Sequence, residues 1–352
     1  MDTRITEGTK AMAGPKDATE LSPEGILQLG LGFWASKTLL SAAELGLFTE
    51  LAAGPLDGET LRQRLGLHER GARDFFDALV ALRMLERDGG VYRNTAATER
   101  YLDRNKSTYV GGMLAGAGRR LYANWGSLTE ALRTGKPQNG TADGEDLFEM
   151  LFSDPEKVEM FAKAMSGGSL QAAEALARRF PWANYDTFID IGTAEGRLPV
   201  EVGRLHSHLT GGGFDLPPMR PVFEAYVEQH ALADRLSFYS GDFLAGPLPS
   251  AEVLVMGHIL HDWNLEVKRE LLAKAWSALP KGGALIVYDQ IIDDERRENA
   301  AGLLMSLNML VNTNGGFDYT RAEGIGWVRE AGFAEVRCEH LAGPTSIIVG
   351  IK

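Results

Sequence analysis

Cysteine is nearly absent from this chain, which has 352 residues and a single cysteine, Cys338. One cysteine excludes an internal disulfide and any zinc site built from several thiolates, and it suits a reducing compartment. The chain also lacks an unbroken run of about 18 or more apolar residues, so we expect no membrane span. We therefore expect a cytoplasmic protein without membrane contacts.

Basic residues are outnumbered by acidic ones, 36 to 48, which gives a formal net charge of −12. This balance argues against a polyanionic partner, so we predict that the protein binds no nucleic acid. The first stretch, MDTRITEGTKAMAGPK, lacks the apolar segment of a secretory signal, and we interpret residues 1–20 as a flexible arm. The remaining length suits two domains.

Apolar residues cover most of the helical circumference in residues 26–51, ILQLGLGFWASKTLLSAAELGLFTEL. This pattern predicts a helix buried in its own domain or against another subunit, with Phe33 and Trp34 in a dimer interface or an acceptor pocket. Two shorter helical segments and a β-ribbon follow, an order typical of a winged helix. We predict a winged-helix domain over residues 21–110.

A winged helix can insert its second helix into the major groove of DNA. The corresponding segment here, HERGARDFFDALVALRML, carries several arginines, but also acids and a long apolar face that suits burial. A DNA-binding regulator is therefore an alternative from another functional class. A gel shift at low salt would test it.

The rest of the chain changes from helices to alternating strands and helices. Residues 111–180 predict a helical linker region, in which Asp154 and Pro155 are a fitting N-cap and first-turn pair. From about residue 185, short apolar runs alternate with helical segments, the signature of a doubly wound parallel α/β sheet. Residues 334–342 and 345–352, joined by a Gly-Pro turn, predict an antiparallel hairpin at one edge. We assign residues 181–352 to this domain.

Three acids follow successive predicted strands and indicate a cofactor site. Asp190 opens the glycine-bearing turn DIGTAEG, where Gly192 lets a ligand approach the backbone. Asp215 stands 25 residues later, where an acid can accept hydrogen bonds from both ribose hydroxyls. Asp242 could meet an adenine amino group, although Asp190 and Asp242 could also cap turns. Glu195 places a negative charge in the turn, which suits a cationic or zwitterionic ligand better than a pyrophosphate.

Two histidines lie three residues apart in GHILHDW, residues 257–263. Residues three apart on a strand point to opposite faces, so His258 and His261 converge only if the strand has turned. With Asp262 they are ligand types that iron or zinc accepts, but we predict no metal. We interpret Asp262 as a candidate cap of the next helix and Trp263 as core.

Motifs along nearly the whole chain after the first 20 residues resemble one family. DIGTAEG, GFDLPP, GDF, LHDW, LPKGGALIVYD and LNMLVNTNGGFDYT resemble the small-molecule O-methyltransferases of the caffeate/acetylserotonin type, in their bacterial secondary-metabolite branch. These are class I S-adenosylmethionine (SAM) enzymes. GFWASKTLLSAAELGLFTEL, WGSLTEALRTGKP and FAKAM are similar to the same family.

The resemblance implies a seven-stranded, mostly parallel SAM-methyltransferase sheet with an antiparallel last strand. It also implies an all-helical winged-helix dimerisation domain that forms a homodimer, and an acceptor pocket that includes residues 111–180. The implied reaction transfers a methyl group from SAM to a hydroxyl of an aromatic or polyketide-like small molecule, leaving S-adenosylhomocysteine (SAH).

The site residues follow by position in the motifs. We assign the cofactor to Asp190, Gly192, Asp215, Leu216, Asp242, Phe243 and Gly257. His261 would be the general base, flanked by Asp289 and Asp318. We assign the acceptor pocket to Trp125, Met165, His258, Asn308, Met309 and Asn312.

Several positions depart from the family pattern. Asp289 and Asp318 are glutamates in the plant enzymes, so each carboxylate here is one methylene shorter. Ala194 replaces a glycine of the turn, and Gly257 stands where many relatives have a lysine. Methyl transfer to carbon or nitrogen, or a reaction without methyl transfer, therefore remains an alternative.

Overall fold

The computed structural model describes residues 22–140 and 154–352, so the predicted arm over residues 1–20 lies outside the described residues. An N-terminal domain, a set of connecting helices and a C-terminal sheet domain follow one another along the chain. Within the described ranges, no helix is both long enough and apolar enough to cross a membrane.

The predicted helix over residues 26–51 is broken into α1 (Glu24–Gly30), α2 (Phe33–Leu45) and α3 (Leu47–Ala52). Gly46 ends α2 in the left-handed conformation, with φ +73°, which glycine adopts without strain. Burial within the chain begins only in the second half of the segment, at Leu40, and continues through Leu47 and Phe48. Leu29 and Trp34 are 85% and 61% exposed, so the first half is not buried by its own domain.

The winged-helix prediction matches the described N-terminal domain. Helices α4 (Gly58–Arg64) and α5 (Glu69–Ala81) are followed by β2 (Leu85–Asp88), β3 (Val91–Asn94) and α6 (Ala96–Tyr101). With β1 (Leu56–Asp57), the strands form a small antiparallel sheet in the order β1-β3-β2. Helices dominate this domain, as predicted, and its small sheet refines the all-helical description: the predicted β-ribbon pairs with a third strand, β1, that the sequence did not suggest.

The connecting helices join the two domains. They are α7 (Gly111–Gly116), a π-helical turn (Ala117–Leu121), α8 (Tyr122–Trp125), α9 (Leu128–Thr134) and α10 (Pro155–Arg179). Asp154 accepts a hydrogen bond from the Glu156 amide at 2.9 Å, as its predicted N-cap role requires. Helix α10 packs against both α7 and the first helix of the sheet domain.

The described C-terminal residues form a seven-stranded sheet in the order β6-β5-β4-β7-β8-β10-β9. Its strands are β4 (Thr187–Ile191), β5 (Thr210–Asp215), β6 (Leu236–Ser240), β7 (Val253–Gly257), β8 (Ala284–Asp289), β9 (Glu335–Ala342) and β10 (Thr345–Ile351). The first five are parallel, and β10 runs antiparallel to both β8 and β9. The predicted sheet and its terminal hairpin are confirmed.

Helices cover both faces of this sheet. They are α11 (Arg197–Leu205), α12 (Arg220–Gln229), α13 (Leu265–Ala278), α14 (Ala300–Asn312) and α15 (Arg321–Glu330), with 3-10 turns at Trp182–Asn184, Pro217–Met219 and Leu260–Asp262. Two separate apolar clusters form, one on each face. The carboxyl ends of the parallel strands meet along one edge, where such sheets bind ligands.

Candidate active site

The predicted cofactor acids come together at the ends of β4, β5 and β6. The Asp215 carboxylate accepts hydrogen bonds from the amides of Ala194 at 2.9 Å and Leu216 at 2.8 Å. Burial raises the pKa of Asp190 to about 7 and that of Asp215 to about 6. Asp242 is exposed and accepts from the Leu244 amide at 2.8 Å, so one of its oxygens caps a turn, the alternative considered for it.

The glycine-bearing turn explains how Asp215 is held. Gly192 has φ +74°, and a Cβ there would lie 2.2 Å from Ile259. Ala194 occupies the left-handed region with φ +51°, a conformation that glycine adopts without strain. Its strained backbone presents the amide that binds Asp215, so the turn and the acid at the end of β5 form one unit.

Glu195 does not carry the free negative charge that the sequence suggested. Its side chain is buried, with an oxygen 3.8 Å from the Arg197 guanidinium. Burial raises its pKa, and the Ser166 hydroxyl and Arg197 oppose that effect. The sequence suggested that this carboxylate attracts a cationic ligand. That expectation is wrong, because the carboxylate is buried beside the Arg197 guanidinium.

The residues present fit SAM. Each Asp215 oxygen uses one backbone amide and keeps acceptor capacity for a ribose hydroxyl. The Ile259 side chain fills the space where a Cβ of residue 192 would lie, so this position of the turn requires glycine. The ring of Phe243, which follows Asp242, packs perpendicular to the Trp263 ring at a centroid distance of 5.8 Å.

His261 lies in the 3-10 turn after β7 and is surrounded by carboxylates. It is 5% exposed. Its Nδ1 lies 3.3 Å from Asp318 Oδ1, a hydrogen bond, and its Nε2 lies 3.7 Å from Asp262 Oδ1. Burial lowers the pKa of His261, but the three surrounding carboxylates outweigh burial and raise that pKa to about 10.

The two flanking aspartates play different parts. Asp289 Oδ1 lies 3.8 Å from His261 Nδ1, beyond hydrogen-bond distance, and Asp289 Oδ2 accepts from the Tyr319 hydroxyl at 2.6 Å. Asp289 Oδ1 has no hydrogen-bond partner in the described structure, and burial raises the pKa of this carboxyl. Only Asp318 therefore holds the histidine by a hydrogen bond.

His258 turns toward His261, as the convergence of the two histidines requires. Its φ is +55°, and the two imidazole rings lie 5.7 Å apart. His258 Nδ1 lies 3.7 Å from Asp289 Oδ1, so both histidines face one carboxylate. Burial and the neighbouring His261 lower the pKa of His258, which keeps it neutral.

The sequence grouped the two histidines with Asp262 as possible metal ligands. The structure instead brings them together with Asp289, their ligand atoms lying within 4.8 Å of one another. Within this group, His261 Nδ1 already has Asp318 as its hydrogen-bond partner.

Of the two residues after His261, Trp263 has the predicted role and Asp262 does not. Asn264, not Asp262, caps α13 by accepting from the Val267 amide at 3.0 Å. Asp262 instead faces His261. Trp263 packs against the apolar cluster on its face of the sheet, as predicted.

Gly257 is explained by its neighbour on β8. A Cβ at Gly257 would lie 1.9 Å from the ring of Tyr288, and Tyr288 is buried. The tyrosine ring therefore fills the space that a side chain at residue 257 would need. The cofactor assignment of Gly257 stays a prediction.

Four of the six predicted acceptor-pocket residues lie on α8 and α14, which a hydrogen-bond network joins. Trp125 Nε1 donates to Asn308 Oδ1 at 2.9 Å, and Asn312 Nδ2 donates to the same oxygen at 3.0 Å. Met309 is buried beside them, whereas Met165 on α10 is 40% exposed. The Asp318 amide donates to Ser306 Oγ at 3.2 Å, which ties α14 to the partner of His261.

Three residues near His261 were missed from the sequence: Gly316, Tyr319 and Lys268. A Cβ at Gly316 would lie 2.7 Å from the carbonyl oxygens of His261 and Asp262, and the adjacent glycine pair was the available signal. Lys268 is fully buried on α13. Lys268 precedes the buried residues Leu271, Leu272 and Ala275 by three, four and seven positions. This spacing would have placed the lysine on the buried face of the helix.

Comparison with known proteins adds a family context. Residues 125–334 match the O-methyltransferase domain, and residues 27–104 match the O-methyltransferase dimerisation domain. The chain is 44% identical to the tetracenomycin polyketide synthesis 8-O-methyl transferase TcmO of Streptomyces glaucescens, over 94% of this chain and 97% of that protein. It is 39% identical to the N,N-dimethyltransferase OxyT of Streptomyces rimosus, over 92% and 95% of the two chains.

A solved structure shares the same architecture. The human N-acetylserotonin methyltransferase in complex with SAM matches with a TM-score of 0.86 and 27% identity, covering 96% of this chain and 99% of that one.

Proposed function

Because the chain belongs to the family of SAM-dependent O-methyltransferases, we propose that it methylates a hydroxyl of an aromatic or polyketide-like small molecule with His261 as general base. The observation that carries this proposal is the hydrogen bond between His261 Nδ1 and Asp318, at 3.3 Å. It leaves Nε2 as the nitrogen that can receive a proton.

The chemistry divides between cofactor and protein. SAM, when bound, supplies an electrophilic methyl group that needs little activation. A phenol has a pKa of about 10 and is mostly protonated at neutral pH, so removing its proton is the task left to the protein. A positioned histidine contributes roughly 10²–10⁴-fold to such a step. Asp318 fixes the tautomer and stabilises the imidazolium that forms.

The carboxylates around His261 set the pH at which it works. They hold its pKa above the usual value for histidine, so the neutral base becomes populated only as the pH rises above neutrality. Its basicity then matches that of a phenolate, which favours proton transfer between the two. Turnover should therefore increase with pH from neutral into the alkaline range.

The His261 role is tested by an acceptor screen followed by substitution. Purified protein with methyl-labelled SAM is offered phenolic aromatics and polyketides, guided by mass spectrometry of any co-purified ligand. With the acceptor found, His261→Gln should lower turnover about 10²–10⁴-fold and leave SAM affinity within a few-fold. His340→Gln, at an exposed histidine, is the matched control. Turnover of His261→Gln near that of the wild type would show that the general-base assignment is wrong.

Transfer to nitrogen is a second candidate, favoured by the similarity to OxyT. A general base would serve an amine as well, since its proton must also leave. The screen separates the two reactions, because the methylated product is isolated and the methylated atom is identified by NMR.

We also propose a homodimer formed through α1 and α2. Their exposed apolar residues lie in the segment that matches the dimerisation domain. This set comprises Ile26, Leu27, Leu29, Leu31, Phe33 and Trp34. Contiguous exposed apolar surface of this kind marks protein–protein contact sites.

A further inference from the structure

Lys268 is a lysine in an unusual place. Its side chain is 0% exposed, and in residues 22–140 and 154–352 no other lysine or arginine is buried to that degree. A buried ammonium is costly unless the surrounding groups compensate it. Its neighbours therefore indicate what the charge does.

The Lys268 ammonium contacts both chain segments that hold the base. It donates a hydrogen bond to the carbonyl oxygen of Trp263, two residues after His261. Its Nζ also lies 3.6 Å from the centre of the Phe317 ring, which directly precedes Asp318, a cation–π contact. One side chain therefore links the turn that carries the histidine to the loop that carries its carboxylate partner.

Lys268 also lies among the acids that surround His261. Burial lowers the pKa of Lys268 to about 8, and nearby carboxylates oppose that effect. A pKa of about 8 still leaves the side chain mostly protonated at neutral pH. The carboxylates that act on it are those of Asp289, Asp318, Asp262 and Glu323.

We propose that Lys268 is a positioning residue for His261: it joins the histidine turn to the Asp318 loop and so keeps the Asp318 carboxylate beside the imidazole. This inference rests on the proposed role of His261. The groups that face His261 are His258 at the end of β7, Asp262 in its own turn, Asp289 on β8 and Asp318 in the loop after α14.

The consequence of losing this link has a definite sign. Asp318 is among the groups that raise the pKa of His261, so a loop that moves away from the turn lowers that pKa. The Lys268 ammonium, with a pKa of about 8, is already neutral where His261 titrates, so the midpoint reports the position of Asp318 and not the lysine charge. A variant that merely loosens the fold would lower turnover by the same factor at every pH.

The test follows His261 directly and needs no acceptor. Histidine labelled with ¹³C at Cε1 is titrated by NMR in the SAH complex, and the His261 signal is identified by its loss in His261→Gln. Lys268→Met should shift the His261 midpoint downward by about one pH unit, a typical shift when a hydrogen-bonded opposite charge moves away. Lys268→Arg should stay within about 0.3 units of the wild type.

Two further variants complete the design. Arg269→Met removes an exposed cation from the same helix and should leave the midpoint unchanged. If Lys268→Met does not fold, Lys268→Gln replaces it in the same titration. A charge-free variant that folds and titrates with the wild-type midpoint would overturn the proposal. That result would leave methyl transfer itself untouched, since failure of the proposed function is read from the acceptor screen.

Discussion

Asp289 and Asp318 lie at similar distances from His261 Nδ1, 3.8 and 3.3 Å, yet only the second forms a hydrogen bond. Asp289 instead binds the Tyr319 hydroxyl and faces both histidines. In this site Asp318 therefore orients His261, whereas Asp289 is shared between His258 and His261. Two glutamates of the plant type would each reach one methylene farther.

Asp215→Ala should lower the affinity for SAM by an order of magnitude or more. The change removes the acceptor proposed for the ribose hydroxyls and leaves the amides of Ala194 and Leu216 without their partner. Isothermal titration calorimetry with SAM measures the effect. Asp186→Ala, which removes an exposed carboxylate just before β4, is the control. Unchanged affinity of Asp215→Ala would refute the ribose role.

At the scale of elements, the loop between α14 and α15 is packed against the turn that carries His261. Gly316 makes this approach possible, since a Cβ there would lie 2.7 Å from two carbonyl oxygens of the turn and 2.4 Å from Thr313 Oγ1. The Gly316 amide donates to the same hydroxyl at 2.9 Å. The position of Asp318 therefore depends on a contact between two backbones.

Gly316→Ala should slow methyl transfer by about 10²-fold, the typical cost of a misplacement near 1 Å. The added methyl pushes the loop from the turn and moves Asp318 away from His261. SAM affinity, measured by calorimetry, should change less than threefold, because the cofactor acids lie on other strands. Gly326→Ala on α15 is the control, since its Cβ meets nothing within 4 Å. Equal rates for the two variants would contradict this account.

Elements with a strong local pattern were predictable from the sequence. Continuous apolar runs predicted the strands, and the Asp154-Pro155 pair predicted the start of α10. The contacts that shape the site depend on residues far apart in the chain, such as Asp289 with His258 and Lys268 with Phe317. Strand alternation alone could not reveal that His258 turns back, because this requires its positive φ.

At the scale of the whole molecule, the N-terminal domain exposes apolar side chains that the chain does not cover itself. The sequence left open whether its first long segment is buried in its own domain or against another subunit. Leu29 and Trp34 are largely exposed, which supports burial against another subunit. The sheet domain, by contrast, has a buried apolar cluster on each face.

Trp34→Asp should convert a dimer of 38.3 kDa chains into monomers at micromolar concentration. A carboxylate in an apolar interface loses its hydration without gaining a partner. Size-exclusion chromatography with light scattering measures the mass. Leu205→Asp places the same charge at an exposed leucine of the sheet domain and should remain dimeric. A monomeric wild type would contradict the dimer.

The contact between Gly257 and Tyr288 restricts the order in which this site can evolve. A side chain at residue 257 collides with the tyrosine ring, whereas a smaller residue at 288 leaves only a cavity, a defect that proteins often survive. A lineage that acquires a larger residue at 257, such as lysine, must therefore shrink residue 288 first. We expect the two substitutions to be tolerated in this order and not in the reverse, which would couple the histories of the two positions.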